Sequence, residues 1–316
     1  MSRFKFFDSE NGTDQGIEKV ELEVAREQPM GNSADGKDIL SARYRSEQQI
    51  ITRHNGDIVS NGVLKHEYLL SIDLVNLLAQ VTITDAYGSY EPEMLNDLTQ
   101  LSLLVDSVRH EQKFALDKKG RAIDLLNKSD MISNWMTLRT MQLKDGKFLT
   151  TFTSDEQAEI IKEVNSYCDV IFSDNYPMLE ELSKNLFHYT VFDKYLMTDQ
   201  LEGKDDRTSE FYSNMFNIPL KIEFTYENII DENDVMKFEK NSNLLYADFK
   251  LITDIYKEKY QPVLHYGFTD YIYKINSRIE IDKKQNLIKQ ANVTITEAVK
   301  NNVENTIHYT LKQVEL

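Results

Sequence analysis

The sequence predicts an α+β protein, mostly antiparallel sheet, with a helical insert between two strand-rich halves. Three observations carry that class. Apolar and polar residues alternate along the early and late parts of the chain, whereas the middle shows helical spacing. Asn-Gly dipeptides, which suit hairpin turns, punctuate the first strand region. Finally, the stretch Phe114–Asn127 (FALDKKGRAIDLLN) has an echo in Ile279–Asn292 (IEIDKKQNLIKQAN), where Asp-Lys-Lys, an isoleucine and an asparagine recur in step.

Residues 1–37 read as an N-terminal arm containing a docking strand, Ile17–Val24, where Val20, Leu22 and Val24 alternate. Residues 38–128 read as a first α+β half. Asn55-Gly56 and Asn61-Gly62 are both type I′ turn dipeptides, and they lie so close that only one can close a hairpin. Strands are expected at Val63–Ile72 and Gln80–Thr84, then a helix after Pro92 with Met94, Leu98, Leu101, Val105 and Val108 on its apolar stripe. The Phe114–Asn127 hairpin follows, with Phe114 and Leu116 inward and its turn at Lys118-Lys119-Gly120.

Residues 129–200 read as the helical insert. Trp135, Leu138 and Met141 mark a first helix ending at Asp145-Gly146, and Ser154-Asp-Glu-Gln157 reads as a capping box for a second. Ile161, Val164, Cys168 and Ile171 share a face of that second helix. Leu179, Leu182, Leu186 and Tyr189 define another helix after Pro177. The polar run at 201–210 reads as a charged loop and boundary, and residues 211–316 as the second half. Strands are expected at Pro219–Asn228, Val235–Lys240 and Leu244–Ile252, with a turn at Asp231–Asp234. A kinked helix across Pro262 should carry Tyr256, Tyr260, Leu264, Phe268 and Tyr271 on one face. A second hairpin and a terminal strand with Ile307, Tyr309 and Leu311 inward complete the chain.

Each half thus reads strand, strand, strand, helix, hairpin. Upstream of the Asp-Lys-Lys anchors, Val63-Leu-Lys65-His-Glu67 resembles Val235-Met-Lys237-Phe-Glu239, and Glu47–Ile51 resembles Glu227–Ile230, in the same order but not at the same spacing. Internal duplication and chance recurrence of common turn residues account for this equally well.

Composition narrows the function. With 52 Asp and Glu against 36 Lys and Arg, the formal net charge is −16, and no basic block is present, which disfavours nucleic acid or an anionic membrane as a direct partner. The single cysteine, Cys168, forms no intrachain disulfide, no apolar run is long enough to span a bilayer, and no signal peptide is visible. A cytoplasmic location of bacterial type is the expectation. Nucleotide-loop, zinc-protease, nucleophile-elbow and Cys-pair motifs are absent, and the six histidines show no metal-ligand spacing. Asp231-Glu-Asn233-Asp234 resembles a calcium loop but has Val235 where an oxygen ligand is needed, so it reads as a turn.

No cofactor or metal is therefore expected. The reading that follows is a non-enzymatic binding protein whose acidic surface meets a basic protein, in a toxin-neutralising or adaptor role. The alternative is a carrier holding an apolar small molecule in a cleft between curved sheet and helices, and an enzyme using carboxylates stands behind both. Tyr256, Tyr260, Phe268 and Tyr271 are the candidate partner or ligand surface, because tyrosine joins an apolar ring to a polar tip.

Overall fold

Antiparallel hairpins build the molecule outward from its centre. The computed structural model describes residues 39–143, 149–193 and 201–315, all within one compact unit, Asn32–Leu316. The first strands are β1 (Ile39–His54), β2 (Asp57–Asp73) and β3 (Leu78–Glu91). Asn55 and Gly56 close the β1–β2 hairpin with φ of 52° and 91°, the paired positive values a type I′ turn requires. Asn61-Gly62 instead lies inside β2, where Gly62 sits opposite Ile50 on one side and Tyr90 on the other.

Helix α1 (Glu93–Asp106) follows, then the hairpin β4 (Glu111–Leu116) and β5 (Ala122–Leu125). Four helices come next: α2 (Lys128–Met141), α3 (Ser154–Ile171), α4 (Met178–Ser183) and α5 (Leu186–Val191). Strands β6 (Gly203–Tyr212), β7 (Pro219–Glu232) and β8 (Val235–Tyr246) lead to α6 (Phe249–Lys259) and α7 (Gln261–Leu264). The chain finishes with β9 (Tyr271–Asp282), β10 (Leu287–Val299) and β11 (Val303–Val314).

All eleven described strands form one sheet in the order β5-β4-β3-β2-β1-β11-β10-β9-β8-β7-β6. The class is thus α+β with an antiparallel sheet. One meander runs from the centre to one edge. The other returns from the far edge, so that β1 pairs with β11 and Gln48 faces Tyr309. Both Asp-Lys-Lys segments are turns of the same construction. Asp117 Oδ1 accepts the Lys119 and Arg121 amides at 2.8 and 2.9 Å, and Asp282 Oδ1 accepts those of Lys284 and Gln285 at 2.9 and 3.0 Å. Each motif follows a helix and closes a hairpin. The upstream matches do not keep step: counting back from the hairpins, Val63 lies in the second strand and Val235 in the first.

The core gathers around α5, whose six residues are all buried. A helix without a polar face must be surrounded. Phe187 stacks on Tyr68 of β2 with ring centroids 3.9 Å apart, His188 meets Phe114 of β4 edge-on, and Tyr189 packs on Phe211 of β6 and Phe224 of β7. The Tyr189 hydroxyl lies 3.1 Å from that of Ser277 on β9. Strands from both runs therefore curve round one short helix.

Several local expectations change. The charged loop expected at 201–210 falls mostly within the edge strand β6 (Gly203–Tyr212), and charge suits an edge because it discourages pairing with another chain. Leu244–Ile252 is not a strand: β8 ends at Tyr246, and the Asp248 side chain caps α6 by accepting the Leu251 amide at 2.9 Å. The capping box on α3 is Thr153 with Glu156, one residue earlier than read from Ser154, because the threonine oxygen takes the Glu156 amide. The helix expected after Pro177 is two short ones, α4 and α5. Met141 is 76% exposed and Met94 54%, so neither belongs to the buried face of its helix. The helix end at Asp145-Gly146 and the arm 1–37 lie outside the described residues.

Candidate functional site

The aromatic stripe does not form one helix face. Pro262 begins the separate α7, and Tyr271 opens β9, so the 3.6-residue repeat is broken twice. Tyr256 and Tyr271 are buried, while Tyr260 and Phe268 are half-buried. Tyr256 stacks on Tyr260 and meets Phe268 edge-on. Phe216 bridges Tyr260 to Tyr271. The hydroxyls reach inward as well: Tyr256 receives a hydrogen bond from Asn302 Nδ2 at 2.8 Å, and Tyr271 donates to Glu297 Oε1 at 2.8 Å.

Glu297 is fully buried and ties the segment after β6 to the sheet. It accepts the Ser213 hydroxyl and the amides of Asn214 (2.7 Å) and Met215 (3.2 Å). Burial raises its carboxyl above the ordinary value, against the opposing pull of Ser213 and Tyr271. All these contacts are internal, so this region reads as an anchor.

A second buried cluster joins distant elements. Arg121, just after the β4–β5 turn, donates to Asp205 of β6 at 2.6 Å. Lys240 of β8 donates to Asp193 at 2.5 Å, and the Tyr226 hydroxyl of β7 donates to Asp193 at 2.8 Å. The Lys240 ammonium also lies 4.1 Å from the Tyr189 ring centre. Burial works to lower the Lys240 pKa, but the charges of Asp193, Tyr189 and Asp205 outweigh it and hold it raised. Among the described residues Arg121 and Lys240 meet Asp193 and Asp205, and these contacts fasten the elements that carry them.

An open groove of about 360 Å³ lies between α1 and β2–β3. Two lone strand glycines shape it. A Cβ on Gly62 would sit 2.1 Å from the Tyr90 ring, and one on Gly88 would sit 2.6 Å from Thr99 and 2.9 Å from Leu64. Without those side chains α1 settles close on β3 and Tyr90 lies over Gly62. Leu64, Leu95, Leu98 and Leu103 supply the apolar lining, and His66, Ser102 and Asp106 the polar points. Part of the apolar stripe read for α1 therefore faces a groove, and Leu98 is 36% exposed there. His66 stacks on Tyr68, and burial lowers its pKa against a smaller opposing pull from Asp106. None of these residues stood out as a site in the sequence. The available signal was an isolated glycine within each strand pattern, which marks close approach.

The remaining candidates fall elsewhere. His188 is buried, with Nε2 2.5 Å from Gln112 Oε1, and burial with the Arg109 charge lowers its pKa to about 3. His308 is exposed on β11. Cys168 is buried, which pushes its thiol up to about 11 and keeps it unreactive. Asp231 and Glu232 end β7, and Asn233 and Asp234 make the β7–β8 turn. Among the described residues no group of three His, Cys, Asp or Glu is placed to hold a metal, and no helix is long and apolar enough to cross a membrane.

The acidic surface is interleaved with bases. Glu67 takes both Arg43 and Arg45, at 2.6 and 2.9 Å, and Glu280 takes Lys237 and Lys289 at 3.3 and 3.0 Å. Burial would raise the Glu67 pKa, but hydrogen bonds from the two arginines and Thr84 outweigh it and hold it lowered. The expectation of a basic protein partner finds no support in this arrangement.

No known protein family matches the chain, and no curated protein does. Among solved structures it aligns with one described as "lipid-protein interactions in lipovitellin", at 11% identity and a TM-score of 0.43, covering 88% of this chain and 25% of that one. The chain therefore spans about a quarter of the length of that match.

Proposed function

We propose that this protein is a non-catalytic carrier of an apolar small molecule, held in the groove between α1 and β2–β3. One observation carries the reading. An apolar groove of about 360 Å³, edged by a few polar groups, sits between sheet and helix, and its volume falls within the range of small-molecule sites. Leucines at its mouth are stabilised by being covered, each by about 1.5–3 kcal/mol on full burial. A ligand with an apolar body supplies that cover.

The test is uptake of an environment-sensitive apolar dye, with native mass spectrometry of the purified protein. Leu98→Asp places a charge at the groove on a partly exposed helix position, where the fold tolerates it. Dye uptake by the parent protein and its loss in a variant with an unchanged melting curve support the reading. Equal uptake by the two proteins, or none by either, rejects it.

A further inference from the structure

Resting on the carrier reading, we infer that the groove takes an uncharged amphiphile, a single-chain lipid with a hydroxyl-bearing head, in preference to a free carboxylate or phosphate. The charge pattern of the lining points there. Among the described residues that line the groove there is no Lys or Arg, and the one formally charged side chain is Asp106. An anionic head would enter a partly desolvated site whose lining offers it no counter-charge, which is costly.

The cation paired with Asp106 does not change this. Arg109 closes directly on the Asp106 carboxylate, so its charge is already engaged. The groups left to meet a polar head are neutral. Ser102 presents a hydroxyl from an exposed position on α1. Burial lowers the His66 pKa, which favours the neutral ring, and that ring can donate or accept a hydrogen bond. The lining thus offers neutral hydrogen-bonding groups and no cation of its own. That pattern suits a hydroxyl and offers an anion nothing to pair with.

The experiment compares two probes with the same acyl chain, monolauroylglycerol and laurate, by displacement of the apolar dye at neutral pH. The expected result is that the neutral lipid competes at least about tenfold better, the preference that a missing counter-charge near a desolvated head should produce. Ser102→Lys then adds a cation at an exposed helix position. It should bring laurate up by a similar factor, weaken monolauroylglycerol through loss of the Ser102 hydroxyl, and leave the melting curve in place. Equal competition by both probes, or stronger competition by laurate, overturns the inference while the carrier reading stands. Dye uptake without competition from either lipid also overturns it. Absence of dye uptake by the folded protein removes the carrier reading itself. No gain for laurate in Ser102→Lys shows that the head does not lie beside α1, and the inference fails.

Discussion

Arg121 donates from Nη2 to Asp205 Oδ1 at 2.6 Å, and this contact connects the two opposite edges of one eleven-stranded sheet. Arg121 belongs to the hairpin that ends one meander, and Asp205 to the edge strand that begins the other. Both side chains are buried, at 3% and 5% exposure. Asp193, just beyond α5, brings the central helix into the same cluster through Lys240 and Tyr226. These buried contacts fasten the sheet where its edges meet.

Removing one member should therefore cost more than removing a matched pair. Arg121→Ala leaves Asp205 buried without its cation and is expected to destabilise by about 3–5 kcal/mol, whereas Arg121→Met with Asp205→Leu should recover much of that loss. Urea midpoints of the single and double variants measure the coupling. If the two losses simply add, the edges are not held by this contact.

Acid should weaken the fold through His188. Its folded pKa, about 3, lies below the ordinary histidine value, so its stabilising effect is complete above about pH 6.5 and is lost as the pH falls below that. Between pH 7 and pH 5 the loss is about 2 kcal/mol from this group alone. Glu297 has the opposite sign: its raised pKa withdraws stability as the pH climbs through the range just above the usual carboxylate value. His188→Phe isolates the first effect, since it should flatten the acid side of the midpoint-against-pH curve whatever its own stability at neutral pH. An unchanged slope would mean that His188 is not the group responsible.

Gly88 should not tolerate a methyl group. The added Cβ would press on Thr99 and Leu64, so Gly88→Ala is expected to cost about 1–3 kcal/mol by overpacking. It should also shift α1 and impair dye uptake by the groove. Gly56, whose added Cβ would meet nothing within 4 Å but whose φ is +91°, provides the contrast. Gly56→Ala should lower the thermal midpoint through turn strain and leave dye uptake unchanged.

The first hairpin supplies a simpler comparison. Leu116 is 3% exposed, and Leu116→Ala should cost about 2–5 kcal/mol by opening a cavity. Lys118 is exposed in the turn, and Lys118→Ala should be near neutral. Denaturant melts of the pair test the inward and outward assignment. Equal midpoints would refute it.

What the chain alone determined is local. Asn55-Gly56 specifies a turn because its two residues accept positive φ, and the alternation of Ile307, Tyr309 and Leu311 specifies a half-buried strand because side chains on a strand repeat every second residue. The two Asp-Lys-Lys turns belong here too, since each aspartate binds amides only two to four residues away. The antiparallel α+β class follows from such signals taken together.

Only the tertiary structure decided the rest. The charged run at 203–212 became a strand because β7 lies beside it, and α5 became the centre because strands from both meanders close on it. The tyrosines turned inward because Pro262 divided their helix and Glu297 offered an acceptor across the fold. The groove needed Gly62 and Gly88 to meet Tyr90 and Thr99. Each of these outcomes depends on which residues become neighbours across long stretches of chain. Burial and pairing energies act between such neighbours, whereas periodicity and turn chemistry act within a few residues.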